Sequence, residues 1–102
     1  MPAIAAKNVF CRRLREARLA AGLSQKTLGI AAGIDPGVAS ARVNRYETGT
    51  HEPGIGTTTH LARALGVPLA YLYAEDDRLA KLIERFAAMT RRKQEELLKS
   101  LA

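Results

Sequence analysis

Between residues 39 and 48, polar side chains occur at a spacing that would gather their hydrogen-bonding groups on one side of a helix. At 3.6 residues per turn, Ala39, Val43 and Tyr46 share one side, which we expect to face a core. The opposite side has no large apolar group; it carries Ala41, Asn44, Arg45 and Thr48, with Ser40 and Arg42 on its flanks. Arg pairs with guanine and Asn with adenine through paired hydrogen bonds. The sequence therefore predicts a base-reading face, which consists of Ser40, Ala41, Asn44 and Arg45.

Two short helices joined by a tight turn are predicted to position this face. Ser24 can cap the first helix, because its hydroxyl can accept a hydrogen bond from a first-turn amide, and Gly33 can end it. The Asp35-Pro36 pair supplies a cap and a first-turn proline for the second helix, which would run to Glu47. Gly29 lies inside the first helix at a cost of about 1 kcal/mol relative to Ala. We expect close approach of the second helix to offset that cost.

Three segments of the chain resemble the Xre/Cro (lambda-repressor-like) helix-turn-helix family. They are G-L-S-Q-x-x-L at residues 22–28, R-Y-E-x-G at residues 45–49, and L-A-x-A-L-G-V-x-x-x-x-L at residues 61–72. The resemblance covers Phe10 to Tyr73 and implies a five-helix domain that binds double-stranded DNA. It also implies an ion pair between Arg18, four residues before the Gly of G-L-S-Q, and Glu47, which closes the recognition helix.

The resemblance further implies contacts with the phosphate backbone on both sides of the base-reading face. Gln25, at the start of the first short helix, would bond a phosphate and fix the register on DNA. The loop after the recognition helix would lie against the backbone through amides and short polar side chains. The expected backbone-contacting residues are Gln25, Lys26, Arg42, Thr48, Thr50 and His51.

The segment before the recognition helix departs from the family pattern in its length. From Gly33 to Glu47 is fourteen positions (47 − 33), about four more than is usual in the family. The extra residues, around 35–38, leave two alternatives. Either they lengthen the recognition helix by about one turn, so that Gly37 and Val38 join the interface, or they enlarge the turn, so that Ser40 becomes the cap and the reading face begins at Ala41.

Charge is concentrated in the part of the chain that carries these motifs. The formal net charge is +6. Residues 1–72 hold nine Lys and Arg against four Asp and Glu, a balance of +5, whereas residues 73–102 hold seven against six, a balance of +1. A uniformly basic surface would not predict this asymmetry, whereas a DNA-binding segment would.

The remaining elements of the predicted domain flank this pair of helices. Residues 1–7 are predicted to form a loose arm, and residues 8–73 the DNA-binding domain, with Asn8 capping a first helix that runs to Ala21. Thr57 can cap a fourth helix that ends at Gly66, and Pro68 can open a short fifth helix. The first helix carries four arginines on or beside its polar face: Arg12, Arg13, Arg15 and Arg18. Three of the four are expected to be solvated and one to reach the DNA backbone.

Residues 74–102 are predicted to form a C-terminal extension of two amphipathic helices. Acidic residues at 75–77 favour one helix start, and Thr90 favours another. Their apolar faces need partners, either on the same chain or on a second chain. We expect a dimer, because two recognition helices about 34 Å apart can read adjacent major grooves of a palindrome. The expected interface residues are Leu79, Leu82, Ile83, Phe86, Leu97, Leu98 and Leu101.

The sequence thus predicts an all-α, cytoplasmic transcriptional regulator, a repressor that binds a palindromic operator as a homodimer. The alternative is a protein-interaction module, such as an antitoxin, whose C-terminal helices bind a partner protein. An enzyme is not expected, because no Ser/His/Asp constellation shares a site and the lone Cys11 lies beside core positions. We expect no cofactor or metal, since His51 and His60 lack supporting ligands. No apolar run approaches the roughly 20 residues that span a bilayer.

Overall fold

Helices make up the whole regular structure of residues 6–102, the part of the chain that the computed structural model describes, with side chains from Asn8 onward. The helices are α1 (Ala6–Ala20), α2 (Gln25–Ala31), α3 (Ala39–Thr48), α4 (Ile55–Leu65), a 3-10 helix (Leu69–Tyr73), α5 (Asp77–Ala88) and α6 (Arg91–Leu101). The first five of these elements correspond to the predicted five-helix unit and the last two to the predicted C-terminal helices. The predicted all-α fold class is therefore confirmed.

The N-terminal boundary of α1 differs from the prediction. The predicted arm, residues 1–7, lies outside the described residues up to residue 5, and α1 already begins at Ala6. Asn8 is therefore inside the helix and does not cap it. Ala and Lys are strong helix formers, so residues 6 and 7 extend the helix. At the other end α1 stops at Ala20, one residue earlier than predicted.

One apolar core lies between the first four helices and the 3-10 helix. The predicted core face of α3 is buried, which confirms its helical periodicity, and α1 and α4 bury apolar residues at the same helical spacing. The core members from these helices include Phe10, Leu14, Ala17, Leu28, Ala39, Val43, Tyr46, Leu61, Ala62, Leu65 and Leu72. The face of α3 that carries the polar side chains is thereby turned away from the core.

Arg13 is buried, as is Arg18, so two of the four arginines of α1 are exposed and not the three that were predicted. The Arg13 side chain is 4% exposed, its Nε donates to the Ala74 carbonyl at 2.8 Å, and its guanidinium carbon lies 5.8 Å from the centroid of the Tyr71 ring. Asp77 accepts hydrogen bonds from Arg12 at 2.8 Å and from Arg13 at 2.9 Å, and these bonds lower the pKa of the Asp77 carboxyl below its ordinary value. The two arginines therefore hold the start of α5 against α1.

The later helices begin at or near the predicted residues. α4 begins at Ile55, earlier than the predicted Thr57 cap, with Gly54 as its N-cap residue. No side chain caps α4. The Thr58 hydroxyl, inside the helix, donates to the Gly54 carbonyl at 3.0 Å. The predicted starts of α5 and α6 are confirmed: Asp76 and Thr90 cap them through their side chains.

Within residues 6–102, no helix combines the length and the apolar character needed to cross a membrane.

Candidate nucleic-acid interface

The backbones of α2 and α3 approach closely at a single glycine. A Cβ atom on Gly29 would lie 2.8 Å from the Ala39 Cβ and 3.1 Å from the Ala39 carbonyl oxygen, which is too close for any other residue. The predicted close approach that explains a glycine inside α2 is therefore confirmed. Because Ala39 is the first residue of α3, this contact fixes where the recognition helix starts relative to α2.

The N-terminal cap and the C-terminal stop of α2 are as predicted. Ser24 precedes the helix and its hydroxyl accepts a hydrogen bond from the Thr27 amide at 3.0 Å. Gly33 follows the helix with φ of 87°, a left-handed conformation that glycine adopts without steric cost. These two residues limit α2 to seven residues.

The extra residues between Gly33 and α3 enlarge the turn and do not lengthen the helix. Asp35 caps no helix, contrary to the prediction: its Oδ2 accepts from the Gly37 amide at 3.0 Å and its carbonyl accepts from the Val38 amide at 3.0 Å. Asp readily makes such a bond to the backbone two residues on, which competes with helix capping.

Val38 is the N-cap residue of α3, and it makes no side-chain cap bond. Its carbonyl accepts the Arg42 amide at 2.9 Å. The prediction that Ser40 would become the cap in an enlarged turn is therefore wrong, since Ser40 already lies inside the helix. All four predicted base-reading residues are on α3, and all four are exposed: Ser40, Ala41, Asn44 and Arg45.

The flanks of this face carry the other predicted contact residues. Arg42 is held against the Tyr46 side chain, with its Nη2 2.8 Å from the Tyr46 hydroxyl. At the far end of α3, the Thr48 and Thr50 hydroxyls are 3.0 Å apart, and the His51 amide donates to the Arg45 carbonyl at 3.3 Å. The structure thus brings the predicted loop residues together just beyond the recognition helix.

Two polar contacts add to the core packing between α3 and α1. The Arg18 guanidinium binds Glu47 through two hydrogen bonds, Nε to Oε2 at 2.6 Å and Nη2 to Oε1 at 3.0 Å. The Arg18 and Glu47 side chains are 10% and 3% exposed, so the predicted ion pair is present and buried. Arg18 also donates to the Leu23 carbonyl at 3.0 Å. The second contact is from the half-buried Cys11, whose thiol donates to the Tyr46 carbonyl at 3.1 Å.

Charge on the exposed surface of α2 and α3 is of one sign. Glu47 is the sole carboxylate of these two helices, and it is buried against Arg18. The cations Lys26, Arg42 and Arg45 are exposed. The surface that α2 and α3 present to solvent is therefore cationic, as binding to phosphates requires.

Gln25 lies between the two helices in an arrangement that sequence reasoning missed. Its Nε2 donates to Asn44 Oδ1 at 3.1 Å and to Glu47 Oε1 at 3.2 Å. The sequence indicates one part of this contact: Asn44 and Glu47 are three residues apart and therefore lie on one side of α3. Which side chain of α2 reaches them depends on how the helices cross.

Fold and site together define a helix-turn-helix unit with an exposed polar recognition helix. Residues 9–72 match the family described as "Helix-turn-helix domain", and the chain belongs to that family. Among solved structures, one described as "Crystal structure of transcriptional regulator BswR" is 44% identical, with a TM-score of 0.84, over 89% of this chain and 90% of that chain. No curated protein sequence gives a significant match. The predicted membership in a helix-turn-helix family of transcriptional regulators is confirmed.

Proposed function

We propose that this protein is a sequence-specific regulator of transcription that binds double-stranded DNA and represses by occupying a palindromic operator. The observation that carries the proposal is the exposed face of α3, which combines an amide and a guanidinium with a cationic rim. α3 itself is anchored to α1 by the buried Arg18–Glu47 pair. The 44% identity to a transcriptional regulator supports the same reading.

In the proposed complex, α3 lies in the major groove. Arg45 is placed to read guanine and Asn44 to read adenine, and each good bidentate pair discriminates by about 1–3 kcal/mol. Ser40 and Ala41 contact neighbouring base edges. Contacts with phosphate supply affinity that falls with salt, and the residues we assign to the backbone are Gln25, Lys26, Arg42, Thr48, Thr50 and His51.

Selection of bound duplexes from a random pool tests this function directly. A palindromic consensus would support both sequence recognition and two-fold symmetry. Arg45→Ala should relax the preference at one base position. Lys26→Ala, the matched removal of a cation from the rim, should weaken binding to all duplexes alike and lower the salt slope by at most about 1. If both variants, Arg45→Ala included, lost the same affinity for random duplexes as for the consensus, these roles would be contradicted.

The C-terminal helices are the proposed dimer contact. α6 contains no buried residue, and two of its leucines are largely exposed: Leu98 by 55% and Leu101 by 70%. An isolated helix of eleven residues is marginal in water, since helices shorter than about 12–15 residues need tertiary support. Between α5 and α6 lies a groove of about 320 Å³ lined entirely by apolar residues: Pro68, Leu82, Ile83, Phe86, Ala87, Leu97, Leu98 and Leu101.

This groove contains six of the seven residues predicted for the dimer interface. The seventh, Leu79, is on α5 and is 49% exposed, but it does not line the groove. A second copy of the chain fits this face best, because a two-fold dimer would cover both grooves at once and would match a palindrome. Burying these leucines against a partner would supply the support that α6 lacks within its own chain.

Sedimentation of a matched pair of variants tests the dimer. Leu98→Glu places a charge in the groove and should convert the protein to a monomer with weaker binding to the palindrome. Leu19→Glu changes a residue of equal exposure, 55%, on α1 and should leave the dimer intact. An unchanged dimer for Leu98→Glu would exclude this interface. Co-purification of a different chain that Leu98→Glu abolishes would instead support the alternative, a protein-interaction module.

A further inference from the structure

We propose that Val38 is a base-reading residue, whose methyl groups contact the 5-methyl group of a thymine in the major groove. The inference deepens the proposed function, on which it rests, by naming one base that the protein recognises. Val38 belongs to the extra residues, around 35–38, that enlarge the turn before α3. The contact is therefore a property of this turn and not of the shared helix-turn-helix pattern.

Local structure does not explain a valine at position 38. This is the N-cap position of α3, where Ser, Thr, Asp and Asn stabilise a helix because their side chains accept a hydrogen bond from a first-turn amide. Valine has no such acceptor, and Val38 makes no side-chain cap bond. The residue is also 45% exposed and lies outside the apolar core. Neither helix capping nor core packing therefore accounts for Val38.

The position of Val38 continues the spacing of the base-reading face. The Val38 carbonyl accepts a hydrogen bond from the Arg42 amide at 2.9 Å, which is the pairing of a helical turn. Residues three and seven positions further along a helix lie on the same side, and here these are Ala41 and Arg45. Although the turn is enlarged and the helix is not lengthened, Val38 therefore lies at the N-terminal edge of this face. The N-terminal residues of a recognition helix are those that contact base edges.

The turn holds Val38 in place before DNA binds. Asp35 closes the turn with two hydrogen bonds of 3.0 Å, one from the Gly37 amide to its Oδ2 and one from the Val38 amide to its carbonyl oxygen. On the other side of Val38, Ala39 packs directly against Gly29 of α2. Because both neighbours are fixed, little conformational freedom is lost when Val38 makes a contact, and this favours binding.

A thymine methyl is the group of the major groove that an exposed valine can recognise. The Val38 side chain has no hydrogen-bonding group, so it cannot pair with the donors and acceptors of the base edges. The apolar group that the base pairs present in this groove is the 5-methyl of thymine, which small apolar side chains contact. Burying one such methyl group should favour thymine over uracil by about fourfold in each half-site.

Duplexes that contain deoxyuridine measure this contact, because deoxyuridine lacks only the 5-methyl group of thymidine. Each thymine in one half-site of the selected consensus is replaced in turn. One replacement, at a base pair other than the one that Arg45→Ala relaxes, should weaken binding of the wild-type chain by about fourfold. The same replacement should leave the affinity of Val38→Ala almost unchanged. Ile30→Ala is the control: Ile30 is exposed to a similar degree, 43%, on α2, so this variant should respond to deoxyuridine as the wild type does.

Val38→Ser should change stability and recognition in opposite directions. Its hydroxyl can accept a hydrogen bond from a first-turn amide of α3, so the melting temperature should rise. Its side chain has lost both methyl groups, so the preference for thymine over uracil should disappear. A valine with only a structural role would not give this combination. Thermal unfolding also checks that Val38→Ala is folded.

The outcomes distinguish this inference from the proposed function. A wild-type chain that binds every deoxyuridine duplex as tightly as the consensus would overturn the inference and leave the function standing. An equal effect of deoxyuridine on the wild type and on Val38→Ala would do the same, since another residue would then read the methyl group. A lower melting temperature for Val38→Ser would show that the fold itself requires the valine, and would also overturn the inference. A wild-type chain that selects no consensus would overturn the proposed function and the inference with it.

Discussion

Glu47→Gln replaces a buried carboxylate with a neutral amide and leaves the Arg18 guanidinium without its counter-charge. Glu47 accepts two hydrogen bonds from Arg18 and one from Gln25. The Gln side chain has only one acceptor oxygen, and its NH2 group must face a donor. Arginine does not deprotonate, and the hydrogen bond that Arg18 donates to Glu47 raises the pKa of Arg18 further. The charge therefore stays buried in the variant.

The expected cost follows from the burial of this pair. Breaking a buried ion pair by removing one partner costs about 3–5 kcal/mol. That is a large share of the roughly 5–15 kcal/mol of unfolding free energy of a typical domain. In a domain of this size about 1 kcal/mol shifts the melting temperature by about 4–8 °C, so Glu47→Gln should lower it by at least about 12 °C, as measured by circular dichroism.

An exposed pair on α6 provides the control. Arg92 and Glu96 are 3.3 Å apart with side chains 89% and 64% exposed, and exposed pairs contribute about 0.2–1 kcal/mol. Glu96→Gln should therefore change the melting temperature little. The double variant Arg18→Met with Glu47→Leu removes both charges and should be more stable than Glu47→Gln. A shift for Glu47→Gln no larger than that for Glu96→Gln would refute the reasoning.

Three further changes have expected outcomes that unfolding experiments can check. Gly29→Ala should destabilise by about 1–3 kcal/mol, because its Cβ would overlap α3. Gly56→Ala, in α4 with nothing within 4 Å, should stabilise by up to about 1 kcal/mol; the reverse order would contradict the packing. Hydrogen bonds from Arg12 and Arg13 lower the pKa of the Asp77 carboxyl below its ordinary value of 3.8. These bonds therefore stabilise the fold above pH 3.8. Their contribution is lost as the pH falls through the lowered pKa. Asp77→Asn should abolish that part of the pH dependence of the unfolding free energy. If this pH dependence were the same in the variant, Asp77 would not contribute to it.

Local rules predicted much of the fold because the residues involved act through their near neighbours. Ser24 caps α2 and Gly33 ends it through bonds and backbone angles that span only a few residues. The buried faces of α1, α3 and α4 follow from helical periodicity alone. The Arg18–Glu47 pair was predicted from family resemblance, since no local rule joins residues 29 positions apart.

The failures occurred where local alternatives compete or where partners are distant in sequence. Asp35 can cap a helix or close a turn, and the sequence does not decide between them; the structure closes the turn. Arg13 meets the Ala74 carbonyl 61 residues away, so its burial could not be seen from the pattern of α1. On α5 the buried residue is Ala80, whose contact with the domain the spacing of the large apolar residues did not indicate.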